Sequence, residues 1–398
     1  MFIWRWLTSK SYRQATELRR QVRKHLNAQR DILKPEAIAA LERTIADLGQ
    51  ALAQPPDKKR LGEQMELVEK VAGQHLKPYP NANIRENIDV VLVAVAVALG
   101  VRTFFLQPFK IPTGSMQPTL YGIVHGSISD TPSGELPSWP RRVFDRMFYG
   151  MKYVQVIAEE DGVFEGEYSE PERVWGLPKF LISKQRFRVG TKEYVVWFPP
   201  DNLIEAPRLD RTTYNRSGLF PGREFKKGEP IINVWVRSGD HLFVDRLTYN
   251  FRQPKRGEII VFETKAIEPH AASRFGISRD MFYIKRLVAL GGEKVQIGED
   301  HHLVIDGTRL DAATPRFENV YSFDGRAREN DYIGHTAIQL FHDGNALVVP
   351  PGHYLVMGDN TRSSLDSRYF GSFPREYVIG KSCFVYWPIS ERFGWSHR

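Results

Sequence analysis

One apolar run constrains this chain more than any other feature: residues 90–101 read VVLVAVAVALGV. Twelve residues alone would also suit a buried core helix. Extended to 88–106, the stretch reaches nineteen residues, with Asp89 and Arg102 near its ends. That is long enough to cross a bilayer as one helix, and Arg102 can carry its charge out to the headgroups. Phe104 and Phe105 would sit near the far interface. The run begins well inside the chain rather than just behind a short basic start, so it reads as an anchor and not as a cleaved leader. The expectation is a single transmembrane helix at 88–106.

Charge orients it. The chain carries a net +8, from 55 Lys and Arg against 47 Asp and Glu. Residues 1–87 hold 16 Lys and Arg against 10 Asp and Glu, a net +6. A basic excess flanking a membrane helix marks the cytoplasmic side, which puts 1–87 inside and 107–398 outside. The same distribution argues against nucleic acid as a partner, since no nucleic-acid motif accompanies it. At 42% apolar and 26% charged, the composition is that of a globular protein. Cys383 is the one cysteine, so neither an intrachain disulfide nor a multi-cysteine metal site can form. The scattered histidines show no ligand spacing, and neither metal nor cofactor is expected.

Before the anchor, helical periodicity dominates. Leu18, Val22 and Leu26 recur every four residues, and Ile38, Leu41, Ile45, Leu48 and Leu52 every three or four. Pro35 suits a first helical turn, Pro55-Pro56 a break, and Asp57 an N-cap for a third helix carrying Leu61, Met65, Val68 and Ala72. Pro78 and Pro80 close the region. It reads as a small bundle packed on itself, the alternative being a hairpin for docking a partner. Residues 1–7, MFIWRWL, are too short to span and suit either a membrane interface or a buried terminus.

After residue 107 the pattern turns to short β-branched and aromatic runs at 154–157, 194–198, 231–236, 242–244, 259–262, 282–288, 303–305, 347–349, 354–357 and 383–386. Long helical periodicity is absent. The outer part is expected to be mainly β, built of antiparallel sheets.

Three stretches carry candidate chemistry. In Ile111-Pro112-Thr113-Gly114-Ser115-Met116-Gln117-Pro118-Thr119-Leu120, two prolines favour extended backbone around a serine beside a glycine. That serine could be a nucleophile or a hydroxyl in a turn. In Tyr283-Ile284-Lys285-Arg286-Leu287-Val288, alternation puts Lys285 between Tyr283 and Leu287 on one strand face. A desolvated lysine there loses its proton more easily and becomes a base, whereas a lysine on a strand edge stays solvated. Residues 358–368, GDNTRSSLDSR, combine hydroxyls with opposite charges, as a site-bracing loop or a surface loop would.

Together these stretches resemble bacterial type I signal peptidases (leader peptidases), the membrane-bound serine proteases with a Ser/Lys dyad. The anchor runs into Gln107-Pro108-Phe109-Lys110 and the serine stretch, similar to the family's nucleophile box. Ser238-Gly239-Asp240-His241 through Arg246 resembles the next box, Tyr283-Ile284-Lys285-Arg286 the general-base box, and loop 358–368 the last. Four ordered boxes behind an anchor are far more specific than any one of them. The resemblance implies Ser115 as nucleophile and Lys285 as general base. It implies Thr113 and the Ser115 N–H as oxyanion hole, and Ser364 as the group that orients the lysine. Asp366, Arg368, Asp359 and Arg286 would support the site. Phe109, Ile111, Pro112, Leu120, Tyr283 and Ile284 would line pockets for small side chains before the cut. The implied substrates are signal-peptide-bearing preproteins cut after Ala-x-Ala-type sites. The implied surroundings are the lipid bilayer of the bacterial inner membrane and the secretion translocon. A dedicated-substrate relative of the conjugation type, or an inactive binding domain, are the alternatives. Thr361-Arg362-Ser363 stands where the family commonly has Arg-Asp-Asn, and Gly291-Gly292 where it has Pro-Gly. Residues 121–230 form an insertion for which the resemblance supplies no role.

Overall fold

The computed structural model describes residues 9–54, 57–77, 82–175, 178, 182–204, 216–322 and 332–395. Residues 1–7, Pro55-Pro56, Pro78 and Pro80 lie outside them. The chain forms two compact units, Met1–Ala96 and Val97–Arg398.

In the first unit, α1 (Lys10–Gln29), α2 (Pro35–Ala53) and α3 (Lys58–His75) start where the local chemistry dictates. Ser9 caps α1, Pro35 opens α2, and the Asp57 carboxylate accepts from the Lys59 and Arg60 backbone N–H groups. Leu41, Ile45, Leu48 and Leu52 of α2 are buried against Val22 and Leu26 of α1 and Leu61 and Val68 of α3. The Tyr12 hydroxyl donates to the Leu52 carbonyl at 2.9 Å, locking the start of α1 to the end of α2. The three helices bury their stripes on each other.

The fourth helix, α4 (Ala82–Phe104), is the one among the described residues long and apolar enough to cross a membrane. Its Glu86–Phe104 segment has a mean hydropathy of 1.8 and buries none of its length in the protein. It stops two residues short of the expected end. Pro108 pushes its predecessor into extended backbone, and Leu106 is already paired with Asp245.

Twenty strands follow among the described residues of the second unit. β1 (Leu106–Lys110) leads to Ser115. Next come β2 (Val124–Ser127), β3 (Met151–Ile157), β4 (Gly162–Phe164), β5 (Glu172–Arg173), β6 (Ser183–Val189), β7 (Lys192–Trp197), β8 (Arg223–Phe225) and β9 (Pro230–Arg237). After them come β10 (His241–Asp245), β11 (Ile259–Glu263), β12 (Phe282–Leu290), β13 (Lys294–Ile297), β14 (Leu303–Ile305) and β15 (Thr308–Arg309). The last are β16 (Leu347–Val348), β17 (His353–Met357), β18 (Phe373–Pro374), β19 (Val378–Trp387) and β20 (Gly394–Trp395). The main sheet has the order β1-β10-β19-β11-β12-β17-β18, antiparallel at every pairing, with β20 added to β19. The fold is the mainly antiparallel β architecture with a helical N-terminal region that the sequence pattern called for.

Residues 121–230 take part in three smaller sheets, β2-β9-β3, β5-β6-β7 and β4-β8, around a core of their own that includes Phe164, Phe187, Tyr194, Phe225 and Ile232. The segment also holds a helix that periodicity did not reveal, α5 (Trp139–Phe148). Its ten residues give too short a window, and it buries Asp145 rather than an apolar stripe. The connectors α6 (Thr248–Phe251) and α7 (Pro269–Arg274) and the turn of α8 (Ser367–Phe370) complete the helices described in this unit.

Candidate active site

Beyond β1 the chain stays extended through Thr113 and then makes one 3₁₀ turn at Gly114–Met116, which carries Ser115. The extended part is held from both sides: the Ile111 N–H donates to the Asp240 carbonyl at 2.9 Å, and the Pro112 carbonyl accepts from Ile123 at 3.2 Å. Two glycines permit that approach. A Cβ on Gly239 would lie 1.8 Å from the Ile111 carbonyl oxygen, and one on Gly122 2.2 Å from that of Thr113. Ile111, Met116 and Leu120 are sunk in a core with Leu242, Val244, Ile259, Val261 and Val385, so the turn is anchored before and after the serine.

Lys285 reaches the same point from β12, where it stands opposite Ile260 of β11. Its Nζ lies 2.7 Å from Ser115 Oγ, and both residues are buried, at 5% and 3% exposure. Burial lowers the lysine pKa from 10.5 to about 8; the charges of Asp366 and Asp359 work against this and that of Arg368 with it. Tyr283, two residues earlier on the same face, brings its ring to 5.4 Å from Nζ. A deprotonated amine here has a lone pair within reach of the serine proton, the geometry a nucleophile and its base require. Thr113 Oγ1 donates to Ser115 Oγ at the long distance of 3.5 Å, so the two hydroxyls share one side of the backbone.

Loop 358–368 closes over the dyad. The Asn360 N–H donates to the Ser115 carbonyl at 3.1 Å, and its side chain to the Gly114 carbonyl at 3.2 Å. Ser364 donates to Asp366 Oδ2 at 2.6 Å, and among the described residues the Lys285 amine is hydrogen-bonded to Ser115 rather than to Ser364. The charge of the Asp366 carboxylate that Ser364 bonds acts in turn on the lysine, favouring its protonated form. Burial alone would raise the Asp366 carboxyl, but Arg368, the Gly358 N–H and the Ser364 hydroxyl hold it below its usual range. Arg368 pairs with it through Nε at 2.9 Å and Nη2 at 2.9 Å, with neither side chain exposed. A second buried pair joins Arg286 Nε to Asp359 Oδ1 at 2.7 Å and Nη2 to Oδ2 at 2.5 Å.

Among the expected pocket residues, Ile111 and Leu120 belong to the buried core, whereas Phe109 and Ile284 are partly buried against it and Tyr283 is half-buried beside Lys285. Pro112 is exposed. Sequence reasoning missed Asn360, Thr119 and Thr361. Thr119 bonds Asp359 at 2.5 Å, and Thr361 meets Arg368. Gly358 is a further one: a Cβ there would lie 2.2 Å from Ser364 Oγ and 2.4 Å from the Ser115 carbonyl. Its place directly before the loop's first aspartate was the available signal. Among the described residues no group of three or more His, Cys, Asp or Glu is arranged to hold a metal ion.

The family profile described as signal peptidase, peptidase S26, matches residues 84–126 and 234–387. The gap between the two blocks falls on the small sheets between β2 and β9. A probable signal peptidase I-2 from a Synechocystis species is 30% identical over 161 residues, 40% of this chain and 59% of that protein. Signal peptidase IB of Staphylococcus aureus is 29% identical over 168 residues, 42% of this chain and 77% of that protein. A crystal structure of a signal peptidase I from Enterococcus faecalis matches 33% of this chain and 97% of its own, at 29% identity and a TM-score of 0.23.

Proposed function

We propose that this chain, which belongs to the signal peptidase S26 family of serine-type hydrolases, is a membrane-anchored endopeptidase that removes signal peptides with a Ser115/Lys285 dyad. The observation that carries this reading is the 2.7 Å contact between Ser115 Oγ and a buried Lys285 amine with a pKa of about 8. Neutral Lys285 takes the serine proton as Oγ attacks the scissile carbonyl. The developing oxyanion is met by the Ser115 N–H and the Thr113 hydroxyl. The lysine then protonates the leaving amine, an acyl-enzyme remains, and a water deprotonated by the same lysine releases it. A lysine needs no third group to fix a tautomer, unlike histidine.

Substrate binding as an added strand is supported by the register of the main sheet. β17 pairs with β12 only from Arg286 onward, so among the described residues the 282–285 backbone has no strand on that side. An extended segment ending at a small residue could lie there, its side chains against Phe109, Tyr283 and Ile284. Helix α4 would be the single anchor, with residues 1–87 in the cytoplasm and 107–398 beyond the inner membrane, near the translocon that delivers preproteins.

The test is cleavage of a preprotein bearing an Ala-x-Ala site by the purified full chain in detergent. The wild type is expected to cut at that site. Ser115→Ala and Lys285→Ala should each abolish the cut, and the double variant should be no worse than either, because the two act as one unit. A Ser115→Ala variant that still cleaves would overturn the proposal.

A further inference from the structure

Helix α5 is inverted. Among its ten residues the buried one is Asp145, which accepts from the Tyr153 hydroxyl of β3 at 3.0 Å and pairs with Arg141 at 2.9 Å. Its apolar residues face solvent: Trp139 is 69% exposed, Met147 64%, Phe144 44%, Val143 42% and Phe148 37%. Projected down the axis at 3.6 residues per turn, these five and Pro140 fill one continuous half, and Arg141 and Arg146 stand at its two edges. A helix that turns its acid inward and its aromatics outward does not serve the core it sits on.

The sheet fixes where this face lies. Leu106, the first residue of β1, follows α4 after one residue. Four residues later Lys110 pairs with His241, and His241 pairs with Trp387. Trp387 Nε1 donates to the Met147 carbonyl at 2.8 Å, and the Ile389 N–H to the Phe148 carbonyl at 2.8 Å. The C-terminal end of α5 is therefore tied to the sheet within roughly 20 Å of the point where β1 begins, at about 3.4 Å of rise per strand residue plus two strand spacings.

We propose that α5 is a second membrane contact, lying in the plane of the bilayer interface with Trp139, Val143, Phe144, Met147 and Phe148 among the upper acyl chains. Arg141 and Arg146 rest on anionic lipid phosphates. An apolar arc bordered by arginines, with tryptophan at one end, is the pattern of helices that lie on membranes. The occupant is a lipid surface rather than a protein groove, because the two cations border the arc symmetrically. The contact would hold the catalytic unit against the bilayer at one more point than the anchor. This rests on reading α4 as the anchor.

The test uses the full chain reconstituted in vesicles of phosphatidylcholine and phosphatidylglycerol. A fluorophore is attached at Val143→Cys in a Cys383→Ser background, with Glu224→Cys of β8 as an exposed control. The label at 143 should lose more than about half of its emission to lipids carrying a nitroxide high in the acyl chain, since such helices sit roughly 5–10 Å into the headgroup boundary. It should resist aqueous iodide, whereas the label at 224 should show the reverse. Arg146→Glu, which leaves the Arg141–Asp145 pair in place, should reduce the lipid quenching at 143 in the anionic vesicles. Iodide-accessible label at 143 overturns the proposal. So does a label shielded from both quenchers, as a second copy or a protein partner covering the face would produce. Carbonate extraction examines the anchor separately: loss of the chain from the vesicles counts against α4 alone, while lipid quenching at 143 before extraction still supports α5.

Discussion

Lys285 and Ser115 stand 170 positions apart in sequence and meet at 2.7 Å, both withdrawn from water. The same burial that would make the lysine a usable base in the proposed dyad also makes it a liability to the fold, and the two effects separate by pH. Neutral Lys285 increases as pH rises through about 8, so cleavage should rise with pH to a plateau with its midpoint near that value. A rate that climbs only as free lysine titrates, near 10.4, would show that the base is not desolvated.

The linked prediction concerns stability. A lysine whose folded pKa is about 8 against 10.5 unfolded binds protons more weakly in the folded state. Its penalty is absent above 10.5, grows as pH falls from there toward 8, and is complete below 8. Lys285→Met, which the proposed dyad makes inactive, should therefore be more stable than wild type at pH 6, by up to about 3 kcal/mol. The gain should vanish above pH 10.5. Thermal unfolding in detergent across that range measures it. An unchanged melting temperature at pH 6 would mean that the ammonium is solvated.

Thr113→Val should lower kcat by about 10²–10³ with little change in KM, as loss of one oxyanion donor does. Its hydroxyl already lies on the Ser115 Oγ side of the backbone. Thr113→Ser keeps the donor and should retain most activity. A valine variant near full rate removes Thr113 from the mechanism.

Gly358→Ala introduces a methyl group 2.2 Å from Ser364 Oγ and 2.4 Å from the Ser115 carbonyl. Neither neighbour can yield without moving the serine turn or the Asp366 carboxylate. The variant should lose about 1–3 kcal/mol of stability and most of its kcat. Urea unfolding beside preprotein cleavage tests both.

Arg286→Ala would leave Asp359 buried and unpaired, at about 3–5 kcal/mol. Arg286→Met combined with Asp359→Leu should recover much of that loss, because neither charge then remains. Equal losses for the single and double variants would mean that packing rather than charge dominates.

Local patterns account for what was legible beforehand. The stripe of Leu41, Ile45, Leu48 and Leu52 is the buried face of α2, whereas Ser115 and Lys285 were singled out by the resemblance of four ordered stretches behind an anchor, since each alone also suits a turn hydroxyl or a solvated edge lysine. What escaped had no local signature. Thr119 matters through Asp359, 240 positions away. β6 fills two inward places with Ser183 and Gln185, whose amide satisfies the Ser169 and Ile204 carbonyls, so the strand shows no apolar alternation. Ser364 was assigned to the lysine amine, and the structure bonds it to Asp366, a contact two residues away that spacing cannot distinguish from a distant one.

The small sheets branch off through a narrow neck. Val124 pairs with Arg237, and the Asp240 N–H donates to the Tyr121 carbonyl at 2.8 Å, so the segment departs and returns at neighbouring points. Closure entropy is settled at that neck and grows only slowly with what lies beyond it. The branch is thus a port: chain added at the exposed turn of Gly134, φ +64°, should leave the 2.7 Å meeting of serine and lysine untouched. A fluorescent protein or an affinity handle spliced there would report on the enzyme without entering its chemistry.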